Sequence, residues 1–275
     1  MCRLLGWVAH PGLSLRDVLG NDSFAAFAQL SRIHADGWGI AHADGAQVRV
    51  HTSTVCAATD PEFLSTATDL VAEAGLAHLR WASPGLPVEE RNTHPFLHDG
   101  AAFAHNGGIY PLDQLSGLLP ADWASRLHGT TDSEHYFLAL LAEVEANGVD
   151  LPTAVARLAA EYRPSSLNAM LLTTQARYVI NCHDPSVRPP LPPPERTVDG
   201  LVESVEDAAP YYDLRTDSSV VVSSSGFAQP EGGGWQLIAN NSVLIVDRAT
   251  LAVVERPLDI RLTPAAAATA GAELR

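Results

Sequence analysis

The sequence predicts an α+β fold built on antiparallel sheets, and three observations carry that prediction. Short apolar runs bounded by turn residues come in blocks of strand pairs, and helical patterns come in blocks of their own, without βαβ alternation. From Asp132 the apolar residues Phe137, Leu140, Leu141 and Val144 follow the i, i+3, i+4, i+7 stripe of an amphipathic helix. Apolar residues make up 46% of 275 and mean hydropathy is +0.03, enough for a sizeable core.

Taken in order, residues 2–9 (CRLLGWVA) read as a buried strand stopped by His10-Pro11-Gly12. Asn21, Asp22 and Ser23 offer N-caps for a helix to about 32, with Phe24, Phe27 and Ala28 on one face. The segments DGWGIAH and QVRVHTS flank Asp44-Gly45, a pair that favours a type I′ hairpin turn. Pro61 opens a helix to about 74, and a strand follows over 76–81. After a Pro/Gly/charge-rich loop (83–94), a strand over 101–104 runs into His105-Asn106-Gly107-Gly108. The helix from Asp132 ends at Gly148, and a second spans 152–162. Strands are expected at 168–174, 177–182, 220–224, 235–238, 243–246 and 251–254. Residues 1–262 read as one domain with a loop at about 184–210, where five prolines stand between 189 and 194; this loop is expected to act as a flap. The tail, 263–275, is low in complexity and expected to be disordered.

Composition excludes several classes of function. The formal charge of −15 repels phosphate backbones and anionic lipid, so neither nucleic acid nor membrane is an expected partner. All 17 cations are Arg, which removes lysine nucleophiles and a Walker-A loop. Three cysteines (Cys2, Cys56, Cys182) without CxxC spacing argue against a disulfide framework. His78, His94, His98 and His105 match no zinc spacing, so no metal and no cofactor are expected. No apolar stretch approaches the ~18 residues of a membrane span, and the chain reads as cytoplasmic.

Five segments could carry chemistry. Removal of Met1 would give Cys2 a thiol and a free α-amine on one residue; that amine has a pKa of ~7.7–8.0 and is poised to take the thiol proton. The alternative is an inert cysteine in a buried strand. Arg80 ends an apolar strand, either as a solvated cation or as a bidentate carboxylate binder, with Trp81 beside it. Asn106 and Gly107 are either a simple turn or an amide and a backbone N–H of an oxyanion hole. Asp132 is a first-turn acid complementing a helix dipole, or a carboxylate for a substrate ammonium, and Thr131 with Glu134 fits a capping box. The glycines of Asp36-Gly37-Trp38-Gly39 suggest close backbone approach.

The order Cys2, Asp36-Gly37-Trp38-Gly39, Arg80-Trp81-Ala82-Ser83, His105-Asn106-Gly107, Thr131-Asp132-Ser133 resembles class II glutamine amidotransferases, members of the N-terminal-nucleophile (Ntn) hydrolases. The resemblance implies a four-layer αββα sandwich of two antiparallel sheets between helices. It implies Cys2 as nucleophile, Asn106 and Gly107 as oxyanion hole, Arg80 for the substrate α-carboxylate and Asp132 for its α-ammonium. Where ammonia-channelling members carry Thr-His after Arg-Trp-Ala, this chain has Ser83-Pro84, so Ser83 is the hydroxyl left to that pocket. The Pro84-Gly85-Leu86-Pro87-Val88 pattern resembles the short branch that includes the γ-glutamyl hydrolase of ergothioneine biosynthesis, and Asn92–Phe96 resembles its uncharacterised relatives. The implied activity is amide hydrolysis of glutamine or a small-molecule γ-glutamyl conjugate through a thioester. The alternatives are a glutaminase subunit feeding ammonia to a separate synthetase, and a non-catalytic binding protein that keeps the fold.

Overall fold

Alternation along each strand decides how the layers stack, because successive side chains point to opposite faces. In a computed structural model of the chain, which describes residues 2–109, 119–162, 166–184, 196–198, 201–203, 211–226 and 233–260, strand β1 runs Arg3–Leu13. Its Leu4 and Val8 enter one apolar cluster, and Leu5, Trp7 and Ala9 enter another. β1 is central in a seven-stranded sheet ordered Trp235–Leu237 (β13), Tyr211–Arg215 (β11), Ser219–Ser224 (β12), β1, Ala72–Leu79 (β4), Trp38–Asp44 (β2) and Gln47–Ser53 (β3). A six-stranded sheet follows the order Val253–Pro257 (β15), Ser242–Asp247 (β14), Ala176–Asn181 (β8), Ala169–Leu172 (β7), Ala101–His105 (β6), Phe96–His98 (β5). Neighbouring strands pair antiparallel throughout both sheets. Arg196–Val198 (β9) and Leu201–Glu203 (β10) form a separate ribbon.

Three apolar interfaces separate four layers. Leu4, Val8, Leu76, Ala104, Met170 and Leu244 meet between the sheets. The outer face of the seven-stranded sheet (Leu5, Trp7, Leu79) is covered by Phe24 and Phe27 of helix Asn21–Leu30 (α2) and Phe63 of Pro61–Asp69 (α3), with Leu15–Leu19 (α1) packed beside them. The outer face of the six-stranded sheet (Phe103, Leu171, Ile180) is covered by Tyr136, Phe137 and Leu140 of Asp132–Asn147 (α5) and Val155 of Leu151–Tyr162 (α6). A short helix, Ala121–Ala124 (α4), precedes α5. Each fully buried Leu or Phe contributes about 1.5–3 kcal/mol, so every layer is held by several independent anchors. The result is the αββα arrangement, two antiparallel sheets between helices.

Several local expectations are corrected. β1 continues through His10-Pro11-Gly12, with a register shift between Val8 and Leu13 that absorbs the proline. The cap of α2 is Gly20, with no side-chain bond from Asn21, Asp22 or Ser23; Ser14 caps the unforeseen α1 instead. The β2–β3 turn centres on Gly45-Ala46, one residue later than Asp44-Gly45. Gly45 has positive φ (57°) and Ala46 does not, which fits a II′ turn, whereas a I′ turn needs positive φ at both central residues. Helix α3 stops at Asp69, and Ala72 already begins β4, so the helix expected to 74 overran a strand whose Ala-rich start mimics helix. β5 and β11 were missed, and residues 196–203 hold a ribbon within the expected loop. The proline run proposed as a flap and the tail lie outside the described residues. The helix over 132–147 and its Gly148 stop at φ 60° match expectation.

Candidate active site

The residues singled out in sequence lie where strands of the two sheets end. Cys2, Leu4 and Val8 share one parity on β1, and Leu4 and Val8 face the gap between the sheets. On β4, Ala74 and Leu76 face that gap, which puts His78 and Arg80 on the same side. On β6, Ala102 and Ala104 do likewise, and Asn106 follows with the same parity. Cys2, Arg80 and Asn106 each stand one residue beyond a strand, and the period of two, continued by that one residue, assigns all three to the interlayer side.

Cys2 is partly buried and held by the Trp81 backbone: the Trp81 N–H donates to Sγ at 3.3 Å, and the thiol donates to the Trp81 carbonyl at 3.4 Å. Arg3 Nη1 donates to the Cys2 carbonyl at 3.1 Å, and the Ser224 hydroxyl accepts from Leu4 N–H at 3.0 Å, so the start of β1 is fixed on both edges. Burial pushes the Cys2 thiol up; the positive chain terminus, the Trp81 N–H, Arg80 and Arg3 pull it back without cancelling the rise.

Arg80 is buried rather than solvated, at 2% exposure. Its Nη1 donates to the Asp36 carbonyl at 3.4 Å and its Nη2 to the Pro87 carbonyl at 3.1 Å. Burial lowers its pKa, opposed by Cys2 and Asp36. Asp36 also accepts the Ala82 N–H at 2.9 Å, and its own N–H donates to the Arg80 carbonyl at 3.1 Å. Asp36 thus laces the loop before β2 to the Arg80–Ala82 segment. Gly39 is required next door: a Cβ there would sit 2.1 Å from the His94 carbonyl oxygen and 2.7 Å from Pro95 Cδ. Trp81 packs edge-on against His34 with ring centroids 5.6 Å apart. Ser83 is partly buried, and its carbonyl accepts Leu86 N–H in a turn at 3.1 Å.

On the facing sheet, the Asn106 N–H donates to the Asn168 carbonyl at 2.7 Å, and the Ser166 hydroxyl donates to the Asn106 carbonyl at 3.2 Å. Asp132 Oδ2 accepts the Ile109 N–H at 2.9 Å, so the first residue of α5 tethers the Asn106–Ile109 turn directly. His105 is clamped between Ser133 Oγ (2.9 Å) and the Ser166 carbonyl (3.0 Å). Thr131 accepts the Glu134 N–H at 3.2 Å, which is half a capping box. The Glu134 carboxylate turns instead to the N–H groups of His128 and Gly129.

Electrostatic proximity joins the two halves. Burial drives His78 down to about 3, helped by Arg80 and His105. His94 is likewise lowered by burial, then by His78, His105 and Arg80, and its ring lies 4.5 Å from that of His78. His105 is lowered by burial against the opposing Asp132 charge. Arg80 and His105 thus both act on the buried pair His78 and His94, and Asp132 acts in turn on His105. The sequence missed Ser166 and Asn168, which precede an ordinary strand and carry no local signal; Asp36 stood within a motif but without a role.

Two stacked antiparallel sheets between helix layers, with a strand-end site, define an Ntn-hydrolase fold. Residues 1–183 match the family described as glutamine amidotransferases class-II, and the chain belongs to that family. The chain is similar to a γ-glutamyl-hercynylcysteine sulfoxide hydrolase of Mycobacterium tuberculosis, 37% identical over 116 residues that cover 40% of this chain and 50% of that protein. It is similar to a glutamine–fructose-6-phosphate aminotransferase of Rhizobium meliloti, 29% identical over 180 residues covering 66% of this chain and 26% of that protein. The chain thus spans about half the length, or less, of these curated relatives. Its fold matches the structure of a glutamine aminotransferase class-II domain protein from Silicibacter pomeroyi at TM-score 0.61 and 19% identity, covering 94% of this chain and 99% of that one. Among the described residues no helix is long and apolar enough to cross a membrane.

Proposed function

We propose that the chain hydrolyses the amide of glutamine or of a γ-glutamyl conjugate, with Cys2 as nucleophile once Met1 is removed. The observation that carries this reading is the two-point grip of the Trp81 backbone on Cys2 Sγ, beside the buried Arg80. A thiol raised by burial is protonated at neutral pH, so it needs a base, and removal of Met1 supplies one in the α-amine of the same residue. The amine takes the thiol proton, directly or through water, and sulfur bonds to the δ-carbon of the amide. Asn106 Nδ2 and the Gly107 N–H hold the resulting oxyanion, an effect worth about 2.7–4 kcal/mol per donor. The C–N bond breaks as the amine leaves with the proton, and water then cleaves the γ-glutamyl thioester to release glutamate. Arg80 and Asp132 take the α-carboxylate and α-ammonium, with Trp81 and Ser83 beside the carboxylate end.

The similarity to a γ-glutamyl-hercynylcysteine sulfoxide hydrolase supports a small γ-glutamyl substrate. The test is glutamate release from a series of γ-glutamyl amides, wild type against Cys2→Ala. Release by the wild type alone is expected, and equal release by folded Cys2→Ala would remove Cys2 from the reaction. Ammonia measured in step with glutamate from glutamine itself separates plain hydrolysis from delivery to an acceptor.

A further inference from the structure

At the β5 edge of the six-stranded sheet, beside β3, an open cavity of ≈ 650 Å³ is lined by His98, His128 and Glu134 together with Glu89, Glu90 and Arg91. We propose that His98, His128 and Glu134 form a binding site for a divalent ion of the Zn2+ class, separate from the Cys2 machinery. One ligand atom from each of the three lies within 4.8 Å of the others. His98 Nε2 is 3.1 Å and His128 Nδ1 is 3.5 Å from the same Glu134 oxygen. Ligand bonds of ~2.0–2.1 Å in a tetrahedron put neighbouring donor atoms roughly 3.3–3.4 Å apart, and the two separations from Glu134 lie close to that before His128 turns.

The carboxylate is pre-aimed. Glu134 is 1% exposed, and the backbone N–H groups of Gly129 (2.7 Å) and His128 (3.1 Å) fix its two oxygens, supporting hydrogen bonds of the kind that orient a metal-binding carboxylate. His98 is buried too, packed on Phe137, and an ion would replace the proton now bridging its Nε2 to Glu134. His98 and His128 stack nearly parallel, at 5° with centroids 5.2 Å apart. Stacked rings cannot both aim in-plane lone pairs at one ion, so His128 must turn on binding, and its 72% exposure leaves it room. Two imidazoles and one carboxylate suit Zn2+ rather than Mg2+ or Ca2+, which prefer all-oxygen sets. Glu90 on the same cavity adds negative potential for a cation, while the Glu89 charge is paired with Arg91. A three-residue set leaves a fourth position open toward the cavity. The expectation of no metal rested on the spacing of His78, His94, His98 and His105; the set of His98, His128 and Glu134 is assembled only by the fold.

The test titrates Zn2+ alone into metal-free full-length protein against a chromophoric chelator, and follows the visible band of the Co2+ form. Wild type and Cys2→Ala are expected to bind one ion per chain with equal affinity. His128→Ala is expected to weaken binding by about tenfold or more and to lose the tetrahedral Co2+ band. His128 is exposed, so that variant keeps its fold, which circular dichroism checks. His98→Gln, with one ligand nitrogen removed from the buried side, is expected to show the same loss. Failure of the wild type to bind, Zn2+ affinity that survives His128→Ala, or affinity lost in Cys2→Ala instead overturns the proposal.

Discussion

Replacing Gly107 by Ala tests the placement of the oxyanion donors. A Cβ at 107 would stand 2.2 Å from the Ser166 carbonyl oxygen and 2.7 Å from His105 Nε2. The first neighbour is backbone, bridged to Gly108 and so unable to swing aside. To reach a tolerable 3.0–3.4 Å the turn must retreat by about 0.8–1.2 Å from Ser166. The retreat carries Asn106 and the 107 N–H with it, while Asp132 still tethers the far end at Ile109. A displacement near 1 Å costs on the order of 10²-fold in rate, about 2.7 kcal/mol of barrier. Steady-state glutamate release from glutamine is therefore expected to show kcat down about 10²-fold with KM changed little, because the proposed head-group clamps, Arg80 and Asp132, lie outside the displaced residues. A kcat within threefold of wild type, in a variant of unchanged melting temperature, would refute the reasoning.

Three further outcomes are expected. Arg80→Lys keeps the charge but cannot span the Asp36 and Pro87 carbonyls while meeting a carboxylate, so kcat/KM falls roughly tenfold or more; unchanged kinetics would show that the fork geometry is not used. Asp132→Asn can still accept the Ile109 N–H, so folding survives, while loss of the charged partner raises KM for glutamine roughly ten- to hundredfold; a KM equal to wild type would assign Asp132 to the turn alone. His78 is held neutral, with its pKa lowered to about 3, so between there and its unfolded value of ~6.5 the unfolded chain binds the extra proton. Its contribution is thus lost as pH falls below about 6.5, at up to about 1.4 kcal/mol per pH unit, and denaturation midpoints of His78→Asn are expected to depend less steeply on pH than wild type.

How much was legible can be argued from particular residues. The apolar stripe from Phe137 to Val144 and the Thr131 and Gly148 caps are local signals, and α5 stands where they place it. β4 was misread at its start because Ala72 to Ala74 carry no β-branched side chain; pairing with β1 overrides their helical propensity. β5 is three residues long, and a single strand partner, β6, decides it. At the candidate site, Cys2, Arg80, Asn106 and Asp132 stand out in the sequence as residue types in a particular order. The lacing by Asp36, the Ser166 clamp and the Glu134 turn away from its cap are contacts across 46, 60 and 5 residues or more that only folding reveals. The buried state of Arg80 was likewise invisible, since nothing in LAHLRWAS shows that the Pro87 carbonyl returns to meet it.

The claim beneath the proposed function is that sulfur and amine of one residue form the reacting pair. It is tested most directly by intact and peptide mass spectrometry of native protein treated with a glutamine analogue bearing a diazoketone in place of its amide. The account predicts a chain that begins at Cys2 and carries one adduct, on that residue, with activity lost in proportion. An adduct on Cys56 or Cys182, or full hydrolytic activity in protein that retains Met1, would contradict it.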